Sequence, residues 1–392
     1  MKNLKTKIIL FPHITLNKYF NYRNSKLYYF IWNKLKIKKK SLTFNAEATY
    51  LNSMIAAEIK CYSPIQFQTY LFKNKLDEFY HIKEVHRYFD FIPKDNSKHL
   101  KIINEREILK LNFLKKIDVA VFSAHCDPKF KKFIKIFKDF NIPICLIDIN
   151  DDQAVYKFNE KETKLYFKKK HNEFKSDITL VKDIKKDFKL KKYYPLNICP
   201  ISRIEKLKFD MISKYDFSFI GNCRPKHMTD RIEIVKLLKQ NYKNSYFKLY
   251  EQIQDLELTK NEQDTIFKQS KILISPSGII YDSYRHAGLY KFKKPVLMPR
   301  PLVKTTGAKF KDMINCIFYD VKIINGKTKL INKKKLIKKL NHVLKNEDIQ
   351  KKIGQNYYKF ILKHHTSDAR KEFFSKLFEK LKNKKLPDQI SH

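Results

Sequence analysis

Several short stretches of this chain carry side chains that could do chemistry, and each follows an apolar run. In IDVAVFSAHC, His125 comes just past a run of small and β-branched residues, and in IPICLIDINDD, Asp148, Asp151 and Asp152 close a second such run. A histidine or a carboxylate at a strand end can take a proton from a hydroxyl nucleophile, so His125 and Asp148 are candidate bases. Asp151 and Asp152 suit helix capping equally well. The acidic cluster could also hold Mg²⁺, although no second ligand group stands at a telling spacing. A different chemistry is suggested by SKILISPSGIIYDSYRHAGLYKFKKPVLMPRP, residues Ser270 to Pro301. Its loop carries Ser277 and Gly278, Asp282 or Ser283 can cap the helix that follows, and Arg285 adds a guanidinium to that helix start, a combination suited to a phosphate. In FIGNCRPKH, Gly221 ends a strand and Arg224, Lys226 and His227 follow on a loop, a second candidate anion site. For both loops the competing reading is an ordinary turn with solvated charges.

The elements that must position these residues read as α/β. Lys7 to Phe11 is a candidate first strand. IDVAVFSA (Ile117 to Ala124) and IPICLIDI (Ile142 to Ile149) read as buried strands flanking an amphipathic helix from Pro128 to Phe140, which makes a right-handed βαβ unit. Residues 151–200, charged and aromatic, read as a connection. A second alternation then runs through DFSFIGN, a helix from Met228 to Gln240, SYFKLYE, a helix from Asn261 to Ser270, the strand Ile272 to Ile274, PVLMP and NCIFYD. The expected architecture is therefore two Rossmann-like domains facing a cleft: residues 1–200, residues 201–345, and C-terminal helices with a polar tail over 346–392. Both sets of candidate residues lie at carboxyl ends of strands, where open α/β sheets bind ligands.

Composition narrows the function. The chain has 392 residues, enough for two domains, and a hydrophobic content of 43% that excludes disorder. With six glycines in all, it contains neither a GxGxxG fingerprint nor a P-loop, and GxSxG and HExxH are absent too. The net charge of +43 is spread along the chain rather than gathered in one arm, a pattern that compositional bias of an AT-rich genome would also produce. Such an excess attracts polyanions, among them an anionic membrane leaflet. The segment from Lys18 to Lys40 interleaves Tyr, Phe and Trp32 with lysines and suits a core stripe, a membrane surface or single-stranded nucleic acid. Cys61, Cys126, Cys145, Cys199, Cys223 and Cys316 form no CxxC pair, which favours free, buried thiols and a reducing cytoplasm. The basic start followed by IILFPHI is cut short by Pro12 and His13, so it reads as a strand rather than a signal peptide.

In order, SFIGN, a helix containing Arg231, SKILISPSG, DSYRH, KKPVLMP and HHTSDARKEFF resemble a GT-B type glycosyltransferase. The likeness is to the bacterial group 1-like branch of surface polysaccharide assembly, with a fainter likeness to exostosin-like domains. IPICLIDINDD and LYFKKK are similar to the acceptor-side domain of that group, and the resemblance covers about residues 115–375. It implies a cytoplasmic enzyme, peripheral at the inner face of the cell membrane. Such an enzyme moves a sugar, hexose-like, from a nucleoside diphosphate donor to a lipid-linked saccharide, as in lipopolysaccharide biosynthesis. It also implies no obligatory metal, no cofactor beyond the donor and no specific nucleic acid. By the same resemblance Gly221 matches the glycine turn of the donor domain and Arg285 the basic residue near the donor diphosphate, assisted by Arg224 and Lys226. Two positions depart from the pattern: Gly288 stands where many relatives have a glutamate, and Lys293 where a glycine is usual. The alternative from another class is a polyanion- or nucleic-acid-binding protein on a degenerate transferase scaffold.

Overall fold

Consecutive apolar residues without alternation make strands that must be covered on both faces, and this chain builds two sheets of that kind. The computed structural model describes residues 6–11, 50, 53–54, 56–64, 99–126, 128–148, 155–188, 190–196, 213–223, 229–250, 258–278, 281, 285–304 and 308–383. The segment from Lys18 to Lys40 lies outside the described residues, as does Cys199.

The first half begins with β1 (Lys7–Phe11), β2 (Lys60–Ser63), β3 (Leu100–Ile102), α1 (Glu105–Ile108), α2 (Leu111–Leu114) and β4 (Val119–Ser123). It continues through α3 (Lys132–Asp139), β5 (Ile144–Asp148), α4 (Glu160–His171), β6 (Ile178–Val181) and β7 (Tyr193–Pro195). These strands form one parallel sheet in the order β3-β2-β1-β4-β5-β6-β7. Alternation along each strand divides the core. Ile9, Phe11, Phe122 and Leu146 face Phe133 and Phe137 of α3, and Phe11 stacks on Phe122 with ring centroids 4.4 Å apart.

In the second half come β8 (Tyr215–Asn222), α5 (Thr229–Asn241), β9 (Ser245–Tyr250), α6 (Lys260–Lys268), β10 (Ser270–Ile274), the short α7 (Arg285–Gly288), β11 (Val296–Pro299) and β12 (Ile317–Tyr319). They pair in parallel in the order β12-β11-β10-β8-β9. A hairpin of β13 (Val321–Ile324) and β14 (Lys327–Leu330) turns at Asn325 and Gly326, both at positive φ, before α8 (Lys333–Leu344), α9 (Glu347–His364) and α10 (Ser367–Lys382). Helix α9 stays with the second sheet through Ile353, Tyr357 and Ile361. Helix α10 returns to the first, where Phe373, Phe374, Leu377, Phe378 and Leu381 cover Ile8, Leu10, Val121 and Ile147.

The expected class, two facing α/β units with parallel sheets, is the class observed. The segment 151–200 is not a mere connection. It contains α4, β6 and β7, which extend the first sheet by two strands. The run ITLV of β6 is four residues long, too short to stand out among charged neighbours, and α4 is set by a capping box between Asn159 and Glu162 rather than by an apolar stripe. The helix expected from Pro128 starts as a 3₁₀ turn, Pro128–Lys131, before α3. Cys61, Cys126, Cys145, Cys223 and Cys316 are free and buried, and burial pushes the thiols of Cys61, Cys145 and Cys316 up.

Helix α9 comes so close to the chain before β11 that a Cβ at Gly354 would lie 2.0 Å from the carbonyl oxygen of Lys293. That neighbour is backbone, held in a left-handed turn at Lys293 (φ 50°), and cannot step aside. Gly354→Ala should therefore destabilise the protein by about 2 to 3 kcal/mol, the cost of overpacking a rigid contact, as read by urea denaturation. A stability equal to wild type would show that α9 can shift.

Candidate active site

The two halves meet through loops at the carboxyl ends of their strands. After β6, Lys185 forms an antiparallel bridge with Val303, which follows β11. Lys186 N donates to Leu302 O at 3.3 Å and Lys304 N to Ile184 O at 2.6 Å. The buried carboxylate of Asp183 accepts a hydrogen bond from the backbone N–H of Tyr281, in the loop after β10, at 2.6 Å. Further along the same line, the charge of Asp230 is felt by Lys157, in the turn Val155–Lys157 after β5.

On the second half, the end of β8 is packed by cations. Arg285 lies over the Phe219 ring with Cζ 4.7 Å from its centroid, and Arg231 of α5 lies over the same ring at 5.5 Å. A Cβ on Gly221 would come within 2.8 and 2.9 Å of the Arg285 terminal nitrogens, so only glycine admits the guanidinium here. Arg285 Nη2 donates to Ile220 O at 3.0 Å. Arg231 donates Nη1 to Asn222 O and Nη2 to Ser277 O at 3.0 Å. Burial, and then the charge of Arg285, lowers Arg231 to about 10, so it remains a cation at neutral pH. The adjoining carboxylate, Asp230, is raised by burial against hydrogen bonds from Ser277 at 2.5 Å and Tyr319 at 2.9 Å.

The loop after β10 is pinned by His286. Its Nε2 is 3.2 Å from Tyr281 O, a carbonyl that can only accept, so Nε2 donates there, and its Nδ1 is hydrogen-bonded to Ser275 Oγ, 2.8 Å away. Tyr357 Oη donates to His286 O at 2.7 Å. Behind this loop lies a mainly apolar cavity of about 200 Å³, lined by Tyr281, His286, Met298, Phe310, Phe318 and His365 among others. Burial, then the charge of Arg370, holds His365 well below the usual imidazole range, so the wall is neutral there.

On the first half, Asp148 at the end of β5 is the hub. It is 6% exposed, accepts from His171 Nε2 at 2.8 Å and from Lys170 Nζ at 3.1 Å, and lies 3.8 Å from Nε2 of the partly exposed His125. Burial opposes ionisation of Asp148, but the His171 hydrogen bond and the Lys170 charge outweigh it and hold the carboxyl well below the usual range. Such a carboxylate is a weak base. It suits compensation of charge on His125 instead. The residues that hold it come from α4, whose Phe167 stacks on both His171 and Tyr193.

Of the residues expected from the sequence, His125 and Asp148 fall together, and Gly221 and Arg285 fall together. Ser277 sits in the same loop as Gly278, but its hydroxyl is wholly buried and donated to Asp230, so any ligand would meet its backbone rather than its Oγ. Of the helix expected after this loop, the described residues are Arg285–Gly288, with Arg285 at their start. Arg224, Lys226, His227, Asp282, Ser283, Asp151 and Asp152 lie outside the described residues. Among the described residues no cluster of three His, Cys, Asp or Glu is arranged for a metal. Lys170, His171, Asp183 and Phe219 were not singled out by sequence reading. LYFKKKH and SFIGN contained three of them, but the partners that give them meaning are distant in sequence.

No family model matches this chain, and no curated protein matches it. Among solved structures, it is similar to TarM at 12% identity over 66% of this chain and 54% of that one, with a TM-score of 0.41. The GtfA/B complex matches at 9% identity over 69% of this chain and 60% of that one, with a TM-score of 0.44. HepE of Anabaena, solved with UDP-glucose, matches at 8% identity over 95% of this chain and 99% of that one, with a TM-score of 0.45. The chain spans little more than half the length of TarM, 54%.

Because the folded pKa of Asp148 is depressed, its stabilisation is complete above the unfolded carboxylate value of about 4 and is lost as pH falls below it toward the folded value. Asp148→Asn leaves Lys170 and His171 without their shared counter-charge. It should cost about 3 kcal/mol at pH 7 and flatten the acid limb of the stability profile, as measured by urea denaturation between pH 7 and pH 3. An acid limb as steep as that of wild type would remove Asp148 from this account.

Proposed function

We propose that this protein transfers a sugar from a nucleoside diphosphate donor to a hydroxyl of a lipid-linked or surface polysaccharide acceptor, working at the inner face of the cell membrane. The observation that carries the reading is the pair of guanidinium groups, Arg231 and Arg285, gathered over Phe219 at the end of β8, while His125 and Asp148 stand together at the strand ends of the first half. Two guanidinium groups gathered at one strand end suit an anionic leaving group. When the bond from the sugar C1 to the diphosphate oxygen breaks, the electron pair leaves with the diphosphate, and Arg285 stabilises that charge where it develops. Arg231 fixes the loops around it. Arg224 and Lys226, on the loop after β8, are further cations for the same diphosphate. The backbone of Gly278 and the start of α7, with Asp282 and Ser283, complete the donor cradle.

On the acceptor side His125 takes the hydroxyl proton as the new bond to C1 forms, and Asp148 compensates the imidazolium without itself being protonated. A base in this role belongs to a single displacement with inversion at C1. Among the described residues no helix is long and apolar enough to cross a membrane, so in this reading a lipid-linked acceptor is met at the bilayer surface.

Arg285→Ala should lower transfer by about 10²- to 10³-fold, the typical cost of one lost charge-stabilising donor, with an unchanged melting profile. Gly221→Ala would strike both the Phe219 ring at 2.7 Å and the Arg285 guanidinium at 2.8 Å, so it should displace the guanidinium and weaken nucleotide binding roughly tenfold. Saturation-transfer NMR with UDP-, GDP- and CMP-sugars reads donor binding directly. Absence of binding to all of them, or full turnover by Arg285→Ala, would sink the proposal.

A further inference from the structure

The connection between β3 and β4 crosses the first sheet as α1 and α2, and its inward residues do what a crossover requires. Ile108 and Leu114 join the core beneath Ile9 and Phe11, and Phe113 packs edge-on against Tyr62 with ring centroids 5.2 Å apart. The outward residues do not follow the usual polar pattern. Leu109 is 53% and Leu111 51% exposed, two large apolar side chains with one residue between them at the joint of α1 and α2. On and beside the same two short helices stand Arg106, Lys110, Lys115 and Lys116, all exposed. The carboxylates of the stretch are already engaged: Glu105 pairs with Lys129 at 3.1 Å and Lys132 at 2.7 Å, and Glu107 closes the capping box with Asn104. Among the described residues no ion pair engages Lys110, Lys115 or Lys116. The patch thus offers two leucines inside a ring of uncompensated cations.

We propose that the Leu109–Leu111 joint with Arg106, Lys110, Lys115 and Lys116 docks the first half of the protein on an anionic lipid surface. The leucines enter the headgroup boundary and the cations face lipid phosphates, the division of labour that amphipathic interfacial segments use. The same pairing disfavours the other occupants. A second copy of this chain would bring like charges together, and a nucleic acid would leave the leucines in water. The inference stands apart from the transfer chemistry, because vesicle binding is measured with no donor present, and its failure leaves the reading of Arg285 and His125 untouched.

The test is co-sedimentation of the full chain with phosphatidylcholine vesicles with and without phosphatidylglycerol. Wild type should bind only the anionic vesicles. Lys110→Glu/Lys115→Glu/Lys116→Glu should bind them at least about tenfold more weakly, and Leu109→Ser/Leu111→Ser at least about threefold. Because the whole chain is basic, Lys333→Glu/Lys334→Glu/Lys335→Glu on α8, three exposed lysines of the second half, is the control that should retain binding. Failure of wild type to bind, an equal loss in the control, or unchanged binding by the leucine variant would each overturn the proposal. So would a dimer that the leucine variant dissociates, or oligonucleotide binding that falls in that variant while vesicle binding persists.

Discussion

The second half is organised around one buried charge pair at the start of α5. Asp230 and Arg231 are both nearly inaccessible, and between them they hold the ends of three strands. Arg231 bonds the carbonyls of Asn222 at the end of β8 and Ser277 after β10, and Asp230 accepts from Ser277 and from Tyr319 of β12. Neither ion would be tolerated there alone, since an unpaired buried charge costs several kcal/mol. The pair fixes the relative height of the carboxyl ends of β8, β10 and β12 more tightly than loop backbone could, and those ends are the wall of the cleft.

The constraint has an electrostatic consequence. Phe219 gives both guanidinium groups a face to lie on, and Gly221 clears the space that Arg285 fills. Burial lowers Arg231 first, and the repulsion from Arg285 adds to it. Phe219 thus gathers two guanidinium groups at the end of β8. The first half carries the complementary arrangement, a carboxylate hub with His125 and His171 about it.

How much of this could be read from the sequence depended on how local the signal was. The strands carrying His125, Asp148, Gly221 and Ser277 were legible because IDVAVFS, ICLID, DFSFIGN and KILI are short apolar runs with turn residues after them. Lys293 stood out as a departure from the resembled family, and the structure accounts for its place: the backbone takes the left-handed conformation that glycine favours, while Gly354 takes up the closeness. Other features were not legible. Lys170 and His171 act on a carboxylate 22 and 23 residues away. Ser277 looked like a ligand-facing hydroxyl because nothing nearby in sequence announces Asp230, 47 residues earlier. Strands β6 and β7 were hidden because four and three residues give no periodicity to count.

The link between the two halves explains why the site need not be carried on a single rigid block. Asp148 pairs in register with Val181 in β6, and two residues later Asp183 accepts from Tyr281 in the loop that leads to Arg285. Lys185 and Val303 close the next contact along. A short stretch of extended backbone therefore connects the carboxylate behind His125 to the loop before the guanidinium, and His286 holds that loop at both Ser275 and Tyr281. Helix α10, leaving the second half to cover the first sheet, adds a second tie on a different face. Between these two ties, Asp183 keeps the loop before Arg285 in step with the strand beside Asp148. The two sheets are thus held in one geometry by the backbone bridge of Lys185 and Val303 together with the Asp183 carboxylate that reaches across to Tyr281.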